Sequence, residues 1–261
     1  MFSEDIIQSA INHALSEAPK ESCGVVLGGV YVPLKNTHEN PEMFFKFDRS
    51  KYASLITTRR VKAIIHSHTW ATGANPWPSG DDARSQQSVG LPYGIVVVPN
   101  PGLATEIVWF GPGAPIAPVK GRDFRHYTQD CYALMRDCFR LGKDALAEQG
   151  IVWPYDPVDM IDFPRDEMWW ENRDQDLLTE ENFKKAGFYE IRKNDLRSGD
   201  VILFDMGVAK FNHVGVYVGD GKMLHHMSGH SSRTSPANPY FSTHTCLFLR
   251  YDYEKKNTPA R

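Results

Sequence analysis

The amino-acid sequence predicts two domains in tandem, a mixed-sheet α/β domain followed by an α+β domain. Three observations predict this. Helical and strand patterns alternate through residues 1–110. "GPGAPIAPVKGR", residues 111–122, then sets prolines and glycines where neither a helix nor a central strand can continue. Beyond it, one long helical pattern is followed by a run of strand patterns. The expected division is 1–112 for the first domain, 113–121 for the linker and 122–261 for the second domain.

Glu4 to Glu17 reads as an amphipathic helix, with Ile6, Ile7, Ala10, Ile11, Ala14 and Leu15 on one face and Ser3 as its cap. "CGVVLGGVYVPL" reads as two strands around a Gly28-Gly29 turn. Asp48 to Arg60 reads as a helix, "VKAIIHSH" as a strand and Ser79 to Ser88 as a helix. "YGIVVV" and "ATEIVWF" read as strands. After the linker, Cys131 to Glu148 reads as a helix ending at Gly150. "TEENFKKAG" is a short helix with Thr179 as cap and Gly187 as stop. The strands "FYEIR", "DVILF", "HVGVYVG", "KMLHHM" and "CLFLRYDY" follow.

Composition narrows the function classes. Over 261 residues the net charge is -3, so no basic excess points to nucleic acid. No run approaches the roughly 18 apolar residues of a membrane span. "MFSEDIIQ" is acidic where a signal peptide is basic, so no export signal is expected. Cys23, Cys131, Cys138 and Cys246 are scattered without a CxxC, and reduced thiols are expected.

Two constellations carry chemistry. Side chains on a strand alternate, so His66 and His68 point to one face and can share a metal ion. Asp81 and Asp82 are both near enough to add a carboxylate. Ser79 followed by Asp82 equally fits a helix cap with no chemistry. With Glu21 ahead of the first strand, the set Glu21, His66, His68, Ser79 and Asp82 resembles the JAMM motif, E…HxH…SxxD, of the MPN metalloprotease family. The resemblance covers residues 1 to about 110. It implies a zinc ion held by His66, His68 and Asp82, with Glu21 as general base and Ser79 steadying the oxyanion. The loop between His68 and Ser79 is longer than in most of that family.

In the second domain, Cys131 stands at a helix start beside Asp130, where the positive helix end is expected to favour thiolate. A cysteine nucleophile needs a base and an orienting group. His213 opens one strand, and His225 and His226 follow on the next. A three-residue turn over "GDG" sets His225 across from Gly215, diagonal to His213. A two-residue Asp-Gly turn puts His226 there instead. "DC" at the helix start, "LRSGDVILF" and "HVGVYVGDGKMLHH" together resemble the NlpC-type, papain-like cysteine peptidases over about 122–252. That family sets its polar third residue twelve after the catalytic histidine, which selects His225. The resemblance implies Cys131 as nucleophile, His213 as base and His225 as orienting residue, acting on peptidoglycan stem peptides.

A JAMM-like domain followed by an NlpC-like domain resembles, in order and total length, a tail-assembly protein family of lambda-like phages. The resemblance implies other tail-tip proteins as partners and synthesis in the host cytoplasm. The chain would then reside at the virion tail tip or in a tail-assembly intermediate. The alternative is a non-catalytic assembly factor that keeps peptidase folds as binding scaffolds.

Overall fold

The computed structural model describes residues 2–105, 107–163, 165, 169–171 and 176–254; Glu106, inside the segment read as a strand, lies outside them. The chain divides into two compact units, Met1–Pro115 and Ile116–Arg261.

In the first unit, α1 (Glu4–Glu17) buries Ile6, Ala10 and Ala14 against Val26, Ala63, Ile65, Val96 and Val98 of the sheet. The Ser3 side chain makes no cap bond; its carbonyl instead accepts from the Ile6 and Ile7 amides. The hairpin β1 (Cys23–Leu27) and β2 (Val30–Leu34) turns through Gly28 and Gly29, whose φ of 62° and 82° only glycine adopts freely. The elements α2 (Arg49–Thr57), β3 (Val61–Thr69), α3 (Gly80–Val89), β4 (Tyr93–Val98) and β5 (Val108–Phe110) follow. The sheet order is β2-β1-β3-β4-β5, with β3 and β4 parallel and the other pairs antiparallel. β3 is therefore central and buried on both faces, which explains its continuous apolar run. Its last residues carry His66 and His68 to the sheet's end.

The second unit is an antiparallel sheet with one long helix. It contains α4 (Cys131–Ala147), α5 (Glu180–Lys185), β6 (Phe188–Glu190), β7 (Val201–Asp205), β8 (His213–Gly219), β9 (Lys222–His225), β10 (Arg233–Pro236), α6 (Asn238–Thr243) and β11 (Thr245–Tyr251). The strand order is β10-β9-β8-β7-β11-β6. Strand alternation divides the apolar residues: Val201, Leu203, Val214, Val216 and Leu224 pack with α4, while Ile202, Phe204, Met223 and Ala237 form a smaller cluster. The continuous helix expected to Glu148 is broken at Gly142, with φ of 72°; a side chain there would sit 2.5 Å from the Pro157 nitrogen. Within the segment read as linker, Val119 is fully buried in the second unit's core.

Candidate active sites

The first site is built on two local motifs. His66 and His68 occupy one face of β3, and Asp82 lies in the first turn of α3. Ser79 caps that helix: its hydroxyl donates to Asp82 Oδ2 at 2.7 Å and accepts from the Asp82 amide at 3.1 Å. The Ser79 amide donates to the same oxygen at 2.8 Å, completing a capping box. The cap thus aims Asp82 at the imidazoles, so the structural and chemical readings of SxxD coincide. Asp81 is the exposed one and pairs with Arg84.

His66 Nε2 lies 3.2 Å from Asp82 Oδ1, His68 Nε2 3.4 Å from Asp82 Oδ2, and the two imidazole nitrogens 3.2 Å apart. A tetrahedral ion with bonds near 2 Å sets its ligand atoms about 3.3 Å apart. Two nitrogens and a carboxylate at these separations fit zinc. His68 Nδ1 donates to the Asn75 carbonyl at 2.6 Å, which leaves Nε2 as the bare nitrogen. The His66 ring stacks on Phe45 with centroids 4.4 Å apart, and its Nδ1 has no partner among the described residues. Glu21, His68, Ser79 and Asp82 line one cleft of about 440 Å³, whose apolar wall includes Phe44, Phe45 and Trp77.

Electrostatics differ residue by residue. Burial pushes the Glu21 carboxyl up to about 8, against the pull of His68. Burial would also raise Asp82, yet the two imidazoles hold it far below the carboxylate range. His66 is lowered by burial. Burial also opposes charge on His68, but the hydrogen bond and charge of Asp82, the Asn75 carbonyl and the Glu21 carboxylate together raise that imidazole.

The second site draws on separate elements. Asp130 caps α4, accepting from the Ala133 amide at 2.7 Å and the Tyr127 amide at 3.1 Å. Cys131 follows it as the first helical residue, with its thiol against the Val214 amide of β8. β9 pairs with β8 so that His225 stands across from Gly215. The turn holds two residues, Asp220 and Gly221, and a bulge between Tyr217 and Gly219 takes up the third. The expected three-residue turn is therefore corrected. Because the bulge supplies the same one-residue offset, His225 still stands where that turn would set it.

His213 Nε2 lies 3.2 Å from His225 Nδ1, and His225 Nε2 lies 3.1 Å from Ser235 Oγ. A side chain at Gly215 would meet His225 Cβ at 3.4 Å, so the glycine leaves room for the imidazole pair. His226 is fully buried and packs edge-on against Phe124 at 5.1 Å. It is a packing residue and not a surface one.

Burial pushes the Cys131 thiol up to about 12, and the neighbouring Asp130 carboxylate adds to this, while the Val214 and Tyr132 amides and Arg165 pull the other way. Burial and the charge on its histidine neighbours push His213 down to about 3. Burial and Arg233 push His225 down to about 4. Burial thus disfavours the charged forms of the thiol and of both imidazoles. Cys131 and His213 make no hydrogen bond to each other among the described residues; such bonds are often long in unliganded enzymes.

Residues 3–109 match the model for prokaryotic homologs of the JAB domain, and residues 121–250 match the NlpC/P60 family. Tail tip assembly protein K of Escherichia phage N15 is 29% identical over 259 residues, covering 98% of both chains. Tail tip assembly protein K of Escherichia phage lambda is 31% identical over 167 residues, 64% of this chain and 70% of that one. The chain belongs to the tail tip assembly protein K family. Among solved structures, NlpC2 from Trichomonas vaginalis aligns at 17% identity over 60% of this chain and 61% of its own, with a TM-score of 0.30.

Three residues of this K-family chain escape sequence reasoning. Asn75 offers only its backbone carbonyl to His68. Ser235 sits in "RTSP", too polar and proline-bounded to read as a strand. Arg165 reaches back to Asp130, with Nε 2.7 Å from Oδ2. Both side chains are fully buried, and Arg165 keeps Asp130 below the carboxylate range against the burial that would raise it. Only the position of Arg165, a lone cation 35 residues beyond Asp130, hints at this pairing.

Proposed function

We propose that the chain is a phage tail-tip assembly protein whose second unit is a cysteine endopeptidase for peptidoglycan stem peptides. We infer that its first unit is a zinc-dependent peptidase. The observation that carries the first proposal is the His213–His225 contact of 3.2 Å on strands beside the Cys131 helix start. Cys131 Sγ gives its proton to His213 and attacks the scissile carbonyl carbon. His213 returns that proton to the leaving amine as the carbon–nitrogen bond breaks. Water then hydrolyses the acyl-enzyme, with His213 as base.

In the first unit, His66, His68 and Asp82 would hold zinc, which supplies Lewis acidity toward a carbonyl oxygen. Glu21, on the same cleft, exchanges protons with the attacking water and the leaving group, a task suited to a carboxyl raised to about 8. The K-family relatives support the tail-tip setting, and no helix among the described residues is long and apolar enough to cross a membrane.

Incubation of the chain with purified peptidoglycan, followed by mass spectrometry of the soluble products, tests the endopeptidase reading. Fragments cut within the stem peptide are expected; intact stem peptides would refute it. A second reading, a scaffold without catalysis, is favoured by one observation: burial holds the Cys131 thiol at about 12. That reading expects intact stem peptides in the same digest.

A further inference from the structure

We propose that Ser235 is a positioning residue of the thiol centre. Its hydroxyl accepts the Nε2–H of His225 and so obliges His225 to turn a bare Nδ1 toward His213. The inference rests on the reading of Cys131 and His213 as nucleophile and base.

The three residues stand on three adjacent strands. His225 of β9 pairs with Gly215 on one side and with Arg233 on the other. His213 and Ser235 each lie two residues from those partners, so all three share one face of the sheet. The contacts run in series, His213 Nε2 to His225 Nδ1 at 3.2 Å and His225 Nε2 to Ser235 Oγ at 3.1 Å. His225 is 1% exposed, so water does not substitute readily for either partner.

An imidazole carries one proton when neutral and two when charged. With His213 neutral, the series can run in either direction. If Ser235 donates, His225 donates from Nδ1, and His213 must keep its proton on Nδ1. That nitrogen has no acceptor among the described residues, and it is the nitrogen that must be bare to take the thiol proton. If Ser235 accepts, His225 donates from Nε2, His213 donates from Nε2, and His213 Nδ1 is bare. Once His213 gains the thiol proton it donates from both nitrogens. His225 Nδ1 must then accept, and only the second direction survives. Ser235 as acceptor is thus the one arrangement compatible with both states of His213.

The test uses the full chain and two readouts that need no turnover. Nitrogen-15 spectra of histidine at neutral pH report which nitrogen bears the proton. Alkylation of Cys131 by iodoacetamide, followed by peptide mass spectrometry, reports how readily the thiol gives its proton to His213. His213 and His225 are expected as Nε2–H tautomers. Ser235→Ala is expected to shift His225 toward Nδ1–H and slow Cys131 alkylation about tenfold, the worth of roughly one hydrogen bond to a charged state. Ser235→Thr, which keeps the hydroxyl, restores both. A His225 Nδ1–H tautomer in the parent chain would overturn the proposal even if the alanine variant fails to fold. So would unchanged spectra and alkylation in Ser235→Ala, or failure of threonine to restore them. Absence of stem-peptide cleavage by the parent chain would instead count against the endopeptidase reading and leave these two readouts standing.

Discussion

In the first unit two imidazoles meet across a carboxylate; in the second two imidazoles meet without one. Asp82 faces both His66 and His68, and raises His68 in spite of its burial. His213 and His225 have each other and Ser235, and burial drives both down, to about 3 and about 4. The difference teaches what each pair is suited to hold. The pair anchored by a carboxylate offers two nitrogens and an anionic oxygen to a cation. In the pair without one, burial disfavours the charged form of both imidazoles. The two centres also differ in how they are assembled. His66, His68 and Asp82 come from one strand end and the helix cap that follows it, whereas Cys131, His213 and His225 lie on a helix start and two strands far along the chain.

The comparison breaks most sharply at Cys131. Cys131→Ala should abolish stem-peptide cleavage. Cys138→Ala, in the same helix but fully buried in the core, should cut peptidoglycan normally and lose about 1 kcal/mol of stability. Mass spectrometry of digests and thermal unfolding of the two variants check this pair of outcomes.

Next in size is the effect at Asp82. Asp82→Ala removes the carboxylate between the imidazoles and should weaken zinc binding more than about a hundredfold, since losing even an outer partner of a ligand costs 10–100-fold. Glu21→Gln should bind zinc as the parent chain does and lose hydrolysis by the first unit. Zinc titration monitored by calorimetry separates them, and a Glu21 variant that loses zinc would reassign that residue as a ligand.

Much of this contrast is legible in the sequence, because its elements are local. HxH on a strand fixes a shared face and SxxD fits a cap, but spacing leaves Asp81 and Asp82 both open; the likeness to the JAMM motif singles out Asp82 and adds Glu21. Turn chemistry leaves His225 and His226 open and the family spacing of twelve selects His225, which the fold sets across from Gly215 through a two-residue turn with a bulge. What could not be read depends on burial and distant pairing. The state of the Cys131 thiol follows from how deeply α4 packs and from Asp130 beside it, neither of which helix-end reasoning captures. Arg165 and Ser235 sit in segments with no periodic pattern, and only the folded chain brings them to Asp130 and His225. Gly142 interrupts an otherwise regular helical pattern because Pro157 closes on it.

A smaller effect sharpens the comparison through pH. His213, His225 and His226 fall from 6.5 to about 3, about 4 and about 4. The folded state therefore disfavours their protonated forms. The stability they contribute is fully present above pH 6.5 and is lost as pH falls from there through about 4 toward 3. Shifts of this size are together worth several kcal/mol across that window. Hydrogen exchange of the β8 and β9 amides in the full chain should accelerate accordingly; flat protection from pH 7 to 4 would remove the account of this pair as a buried neutral base.

The most direct test of two separate centres is peptidoglycan cleavage by the full chain after zinc has been stripped with EDTA. The one group of three or more metal-ligating side chains found among the described residues is His66, His68 and Asp82 in the first unit, and it includes no residue of the thiol centre. The predicted result is the same stem-peptide fragments at the same rate with and without EDTA. Cleavage lost on chelation and restored by added zinc would contradict the account and tie both chemistries to a single centre.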